Sequence, residues 1–142
     1  MKVYADSSFL VSHYLLDTHS QESDRRMQSR PSLLLTPFLR VEIADAIYQY
    51  VFRKAISPVD ARRVWEGFQL DCRNSLWDMV EFPPQAWEAT IVLASRYGPT
   101  LGVRTLDSLH VACALELKAD RFWTFDERQA RLAQAVGLDT NA

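Results

Sequence analysis

The sequence predicts an α/β domain built on a mostly parallel sheet, and three features carry that expectation. Short apolar runs alternate along the chain with amphipathic helical stretches, the order that covers a sheet with crossover helices. The composition, 48% hydrophobic and 24% charged, is that of a globular protein with enough Leu, Val, Trp and Phe for a core. At 142 residues the chain also falls inside the usual size of one domain, so residues 1–142 are expected to form a single one.

Taken in order, residues 2–5 form the first apolar run, and a helix follows from about Ser8, its start capped by Asp6 or Ser7. A polar helical stretch occupies 20–30. Residues 32–36 make the second run, and Thr36-Pro37 starts a helix because proline at the first helical position loses no needed hydrogen bond. That helix runs through about Phe52, with Leu39, Ile43, Ala46, Ile47 and Tyr50 on one face and Glu42 at the face's edge. Ser57-Pro58 repeats the start signal, and Ala61, Val64, Trp65, Phe68 and Cys72 form its apolar stripe. This stripe reads as core, with a dimer or partner groove as the functional alternative.

Residues 77–82 read as a third strand, after which Pro83 and Pro84 open a helix ending near Gly98. The next helix, 106–117, is apolar on nearly every side and belongs in the interior. Residues 121–125 are the fourth strand, and Asp126 heads a last helix that ends near Gly137.

Several function classes are excluded by what the chain lacks. Sixteen basic and eighteen acidic side chains give a net charge of −2, so nucleic-acid contact would need local patches, for which Arg25, Arg26 and Arg30, then Arg53 and Lys54, then Arg62 and Arg63 are candidates. Each patch taken alone reads as a solvated face. Cys72 and Cys113 have neither zinc-site nor disulfide-framework spacing. With only four glycines, no phosphate-cradling GxxxxGK[ST] loop and no GxGxxG turn can be written, and GxSxG is absent. No apolar run approaches the length of about 18 residues that a membrane span needs, and Asp6 stands where a signal peptide would be apolar. A cytoplasmic protein without membrane association is expected.

What remains is a set of acids. Asp6 follows the first strand, Asp126 follows the fourth, Asp107 opens the most buried helix and Glu42 edges a core stripe. Ligands of open parallel sheets bind beyond the carboxyl ends of the strands, so Asp6 and Asp126 are expected on the same side of the molecule. Gathered carboxylates raise one another's pKa, and burial disfavours their charge further; a divalent cation resolves the conflict. An acid cluster without histidine or cysteine suits Mg²⁺ or Mn²⁺, because zinc favours nitrogen and sulfur. The competing reading is that Asp6, Asp107 and Asp126 are ordinary helix caps, each contributing about 0.5–2 kcal/mol. It accounts poorly for Glu42. His110, one turn after Asp107, reads as a satisfied core histidine and stands outside the catalytic set.

Over its whole length the chain resembles the PIN-domain ribonucleases, and within them the VapC-like toxins of bacterial toxin–antitoxin pairs. Val3-Tyr4-Ala5-Asp6-Ser7-Ser8 looks like the family's first acidic motif and Leu39-Arg40-Val41-Glu42 like its second. Thr105-Leu106-Asp107-Ser108-Leu109-His110 and Thr124-Phe125-Asp126 look like the third and fourth. Asp6-Ser7-Ser8 replaces the Asp-Thr-Asn form that many members show.

The resemblance implies a three-layer α/β/α fold with a central, mostly parallel sheet of four to five strands, a Mg²⁺- or Mn²⁺-dependent endoribonuclease site and a homodimer. It maps Asp6, Glu42, Asp107 and Asp126 onto the acidic quartet that holds the metal. Ser8 and Thr124 fall at the hydroxyl positions that orient the acids or the metal's water, with cap and strand-end hydrogen bonding as their plainer role. RNA and a cognate antitoxin are the implied partners. Two other readings fit the same residues: a metal-dependent nuclease or phosphoesterase outside toxin–antitoxin biology, as in RNA processing, and a non-catalytic binding module on the same fold.

Overall fold

The computed structural model describes residues 1–141. Its four strands are β1 (Lys2–Ala5), β2 (Ser32–Leu35), β3 (Asp78–Met79) and β4 (Arg121–Trp123). Its helices are α1 (Ser7–Tyr14), α2 (Ser20–Met27), α3 (Pro37–Phe52), α4 (Pro58–Arg73), α5 (Ala86–Leu101), α6 (Thr105–Glu116) and α7 (Glu127–Ala135). The strands lie in the order β3-β2-β1-β4 and every pairing is parallel, with Val3 opposite both Leu33 and Arg121.

This order explains the layers. The chain steps from β1 to β2 to β3 in one direction, then returns past all three to place β4 on the other side of β1. Right-handed crossovers therefore put α1 to α4 on one face and α5 and α6 on the other. The packing agrees: α1 meets α2 and α3, α3 meets α4, and α5, α6 and α7 pack on one another. The expected three-layer α/β/α arrangement is thus present. The direction of winding reverses between β1 and β4, and the crevice at such a reversal is where open α/β sheets bind ligands.

β1 and β2 are buried on both faces, as a sheet covered twice requires, and each leads from an exposed first residue into three buried ones. Tyr4 stacks on Phe122 of β4, centroids 5.5 Å apart, while Phe9 of α1 contacts Trp123 and Phe125 at 5.1 and 5.4 Å. α6 is buried from Asp107 to Ala114, the interior helix its composition foretold. Among the described residues, no helix is long and apolar enough to cross a membrane.

Several boundaries differ from expectation. The third strand is only Asp78–Met79, extended by one bond from the Val80 amide to the Leu35 carbonyl. As an edge strand with exposed Asp78 and Met79 it has one pairing partner, and Trp77 instead leaves the ladder to bury its ring and donate to the Tyr14 hydroxyl at 2.9 Å. α5 does not stop near Gly98: it continues through Pro99 to Leu101 and is capped by Gly102 in the left-handed region, φ 61°. Proline here falls in the last turn, and Ser95, whose carbonyl loses a donor, is exposed to water. The polar helix ends at Met27 rather than Arg30, and β4 ends at Trp123, releasing Thr124 and Phe125 from the sheet.

Candidate active site

The sheet delivers two of the four acids to one place. Asp6 and Asp126 are the N-caps of α1 and α7, immediately beyond adjacent parallel strands. Both line a cleft of about 360 Å³ together with Ser7, Ser8, Asp17 and His19, at the reversal point between β1 and β4.

Asp6 is fully buried, and both of its oxygens accept hydrogen bonds. The Ser8 hydroxyl donates to Oδ1 at 2.6 Å and the Phe9 amide to the same oxygen at 3.0 Å, while Thr124 donates to Oδ2 at 2.7 Å. Burial pushes the Asp6 carboxyl above its ordinary pKa, and the nearby His110 ring, the two hydroxyls and the amide pull it back. Ser8 also accepts from the Phe125 amide at 2.9 Å, and Thr124 Oγ1 accepts from the Asp126 amide at 2.9 Å. These two hydroxyls therefore tie the end of β1 to the turn after β4. Asp126, half-buried, caps α7 through the amides of Arg128 and Gln129 at 2.8 and 3.2 Å.

Glu42 and Asp107 lie on helices of opposite layers, and neither lines the cleft itself. Glu42, one turn and a half into α3, touches the cleft through Ser7, whose hydroxyl donates to Oε1 at 3.4 Å. Its principal partner is His110 of α6, whose Nε2 lies 2.8 and 2.5 Å from the two carboxylate oxygens. A carboxylate only accepts, so Nε2 carries a proton. Nδ1 faces the Tyr4 hydroxyl at 2.9 Å, and burial raises the Tyr4 pKa well above its ordinary value. The result is a buried chain from strand β1 through α6 to Glu42, with the Phe38 ring 4.8 Å from the imidazole. Asp107, also buried, is turned toward the start of its own helix, where it accepts from the Arg104 amide at 2.9 Å.

His110 is thus the residue that sequence reasoning undervalued. It is a satisfied core histidine, but what satisfies it is one of the four acids. The available signal was its position three residues after Asp107 on a buried helix, which puts both on neighbouring faces.

All the oxygen donors at the cleft are hard, which suits Mg²⁺ or Mn²⁺. No lysine or arginine forms an ion pair with any of the four acids among the described residues. Nor, among those residues, do three or more His, Cys, Asp or Glu side chains stand grouped so as to enclose an ion. The arrangement fits a cation that keeps most of its water and leans on one or two carboxylates, as magnesium does, and does not fit a protein-enclosed cage.

The model of the PIN domain family matches residues 3–135 of this chain. Among solved structures, the fold is similar to FitAcB from Neisseria gonorrhoeae at 12% identity, covering 98% of this chain and 96% of that one with a TM-score of 0.74. It is similar also to VapC20 of Mycobacterium tuberculosis, a toxin that cleaves the sarcin-ricin loop, at 13% identity, 96% and 95% coverage and a TM-score of 0.68. VapBC2 from Rickettsia felis, solved with a DNA fragment from its promoter, gives 12% identity, 99% and 98% coverage and 0.68. At such identities the likeness is one of fold. No curated protein sequence matches.

Proposed function

Because this chain belongs to the PIN-domain family, we propose that it is a Mg²⁺- or Mn²⁺-dependent endoribonuclease of a single PIN-like domain, the cytoplasmic toxin of a toxin–antitoxin pair. The observation that carries the reading is that Asp6 and Asp126 line one cleft and that, among the described residues, neither is held in an ion pair by a lysine or arginine. In this reading Asp6, Glu42, Asp107 and Asp126 form the acidic quartet that holds the cation, one or two of them by direct contact and the others through its water shell. When bound, it would supply Lewis acidity toward the phosphodiester and lower the pKa of a water for in-line attack.

The chain's own residues do the positioning. Ser8 and Thr124 hold both Asp6 oxygens by short bonds, so the carboxylate keeps one orientation. His110 holds Glu42 against α6 and leaves Ser7 as its contact with the cleft. Asp17 and Ser12, joined at 2.7 Å, add polar groups to the same wall.

A toxin's partners would be RNA, a cognate antitoxin and a second copy of the chain. VapC20, of the same fold, is described as a cleaving toxin, and VapBC2 as promoter-bound, which supports this biology. Exposed Val41, Tyr48 and Phe52 on α3 and Trp87, Ile91 and Val92 on α5 offer apolar surface for an assembly. The rival is a PIN fold that binds without cutting, favoured by the lack of an enclosing group of ligands among the described residues.

The two are separated by incubating the purified protein with mixed cellular RNA in Mg²⁺ or Mn²⁺, with and without EDTA. Cleavage that chelation stops is expected. Cleavage that survives exhaustive chelation contradicts the metal reading, and intact RNA under every divalent condition supports the binding module.

A further inference from the structure

The acid cleft has a neighbour of opposite character. A second cleft of about 530 Å³ is lined by Arg104, Phe125, Asp126, Glu127, Arg128 and Arg131, so it shares Phe125 and Asp126 with the first. Its cations come from two elements: Arg104 immediately precedes α6, while Arg128 and Arg131 lie one turn apart on α7 and share a face. Arg131 meets Glu127 at 3.5 Å, an exposed pair that solvent screens. Among the described residues neither the Arg104 nor the Arg128 guanidinium forms an ion pair.

We propose that this arginine-lined cleft seats the RNA backbone beside the phosphodiester to be cut; the inference rests on the nuclease reading above. A polyanion brought to a site of four acids is repelled unless cations stand within a few ångströms of the same path. The arginines supply them in a cleft that Asp126 itself lines, and their planar forks match phosphate oxygens. At the boundary between the clefts, exposed His19 stacks on Phe125 with centroids 4.4 Å apart and planes 9° apart. A positive groove edged by flat rings is the combination that binds single strands with little base preference. By contrast, Arg25 and Arg26 are held by Glu22 on α2, and Arg62 and Arg63 line neither cleft.

The test is the salt dependence of binding of a labelled single-stranded RNA 20-mer in EDTA, which keeps the strand intact. The proteins are the parent, Arg104→Ala/Arg128→Ala/Arg131→Ala, the charge-preserving triple lysine variant, and Arg62→Ala/Arg63→Ala. On a single strand each phosphate contact contributes about 0.7 to the slope of log affinity against log salt, so the triple alanine variant should lose about 2 from its magnitude and bind on the order of tenfold or more weakly. The lysine variant should keep most of the slope, and the Arg62/Arg63 variant all of it. All three arginines are exposed, so the fold should survive; if melting shows otherwise, Arg128→Ala/Arg131→Ala is measured alone, with a loss of about 1.4. Parent-like affinity and slope in the alanine variants, or an equal loss in the Arg62/Arg63 variant, overturns the assignment. A parent that binds RNA here but cuts none with Mg²⁺ or Mn²⁺ leaves the cleft assigned and defeats the nuclease reading; a parent that binds no RNA overturns both.

Discussion

Removing His110 takes the imidazole partner from two buried or half-buried groups at once, leaving the Tyr4 hydroxyl only the weak Cys113 thiol and the Glu42 carboxylate only the long Ser7 bond, and empties the space against Phe38. An orphaned buried polar group costs roughly 1–3 kcal/mol, and a cavity adds to it. His110→Ala is therefore expected to lose about 3 kcal/mol in urea unfolding, and His110→Gln, whose amide can still donate to Glu42, to lose less. A loss under about 1 kcal/mol for alanine would mean that the chain of hydrogen bonds contributes little. Asp6 and Asp126 were legible beforehand because each follows a strand, and parallel strands bring their carboxyl ends to one side. The fate of Glu42 was not. Its edge position on α3 says nothing of which residue from the opposite layer meets it, since that depends on a contact 68 residues away in sequence.

At the scale of elements, caps and turns carry most of the readable signal. Asp6, Thr36, Ser57 and Asp126 each accept a backbone N–H at the start of the helix they were expected to open. The end of α5 was misplaced because the terminating glycine is Gly102, not Gly98, and only a backbone with φ 61° identifies it. Gly102→Ala meets no neighbour within 4 Å, so its cost is conformational alone, about 1 kcal/mol by chemical denaturation; an unchanged midpoint would contradict the left-handed cap. The third strand was overextended because apolar residues before Pro83 read as a ladder, whereas the buried ring of Trp77 docks on Tyr14.

On α2, Arg25 and Arg26 beside Glu22 hold its carboxyl down at about 2. A folded pKa below the unfolded one means that the unfolded chain binds the extra proton, so this contribution is fully present above the ordinary value of 4.5 and lost as pH falls through about 2. The cluster is solvent-exposed, which limits it to roughly 0.2–1 kcal/mol. Glu22→Gln should accordingly lower stability by that amount at pH 7 and leave it unchanged near pH 2, read as paired melts; an equal loss at both pH values would rule out the ion pairs as the cause.

For the whole molecule, the decisive feature is the order β3-β2-β1-β4. It reverses the winding between β1 and β4 and so opens a crevice at the ends of the strands that carry Asp6 and Asp126. The α/β class was readable from alternation along the chain, but the strand order was not, since every connection here is long enough to skip strands. The adjoining basic cleft was unreadable for the same reason: Arg104 precedes α6 while Arg128 and Arg131 follow β4, and no run of charge in the sequence marks them.

Whether the acids act together as the seat of a divalent cation is decided by titrating Mn²⁺ into the parent and Asp107→Asn while following free Mn²⁺ by electron paramagnetic resonance. Asparagine can still accept from the Arg104 amide and keep the start of α6, so the variant removes charge and leaves the helix cap. A bound cation at about 100 times its dissociation constant would add roughly 2.7 kcal/mol to the parent's stability, which makes melts a check on the same samples. Saturable binding by the parent is expected, with binding weakened on the order of tenfold or more in the variant, a difference of about 1.4 kcal/mol or greater. Equal Mn²⁺ binding by both proteins, or none by the parent, would contradict it.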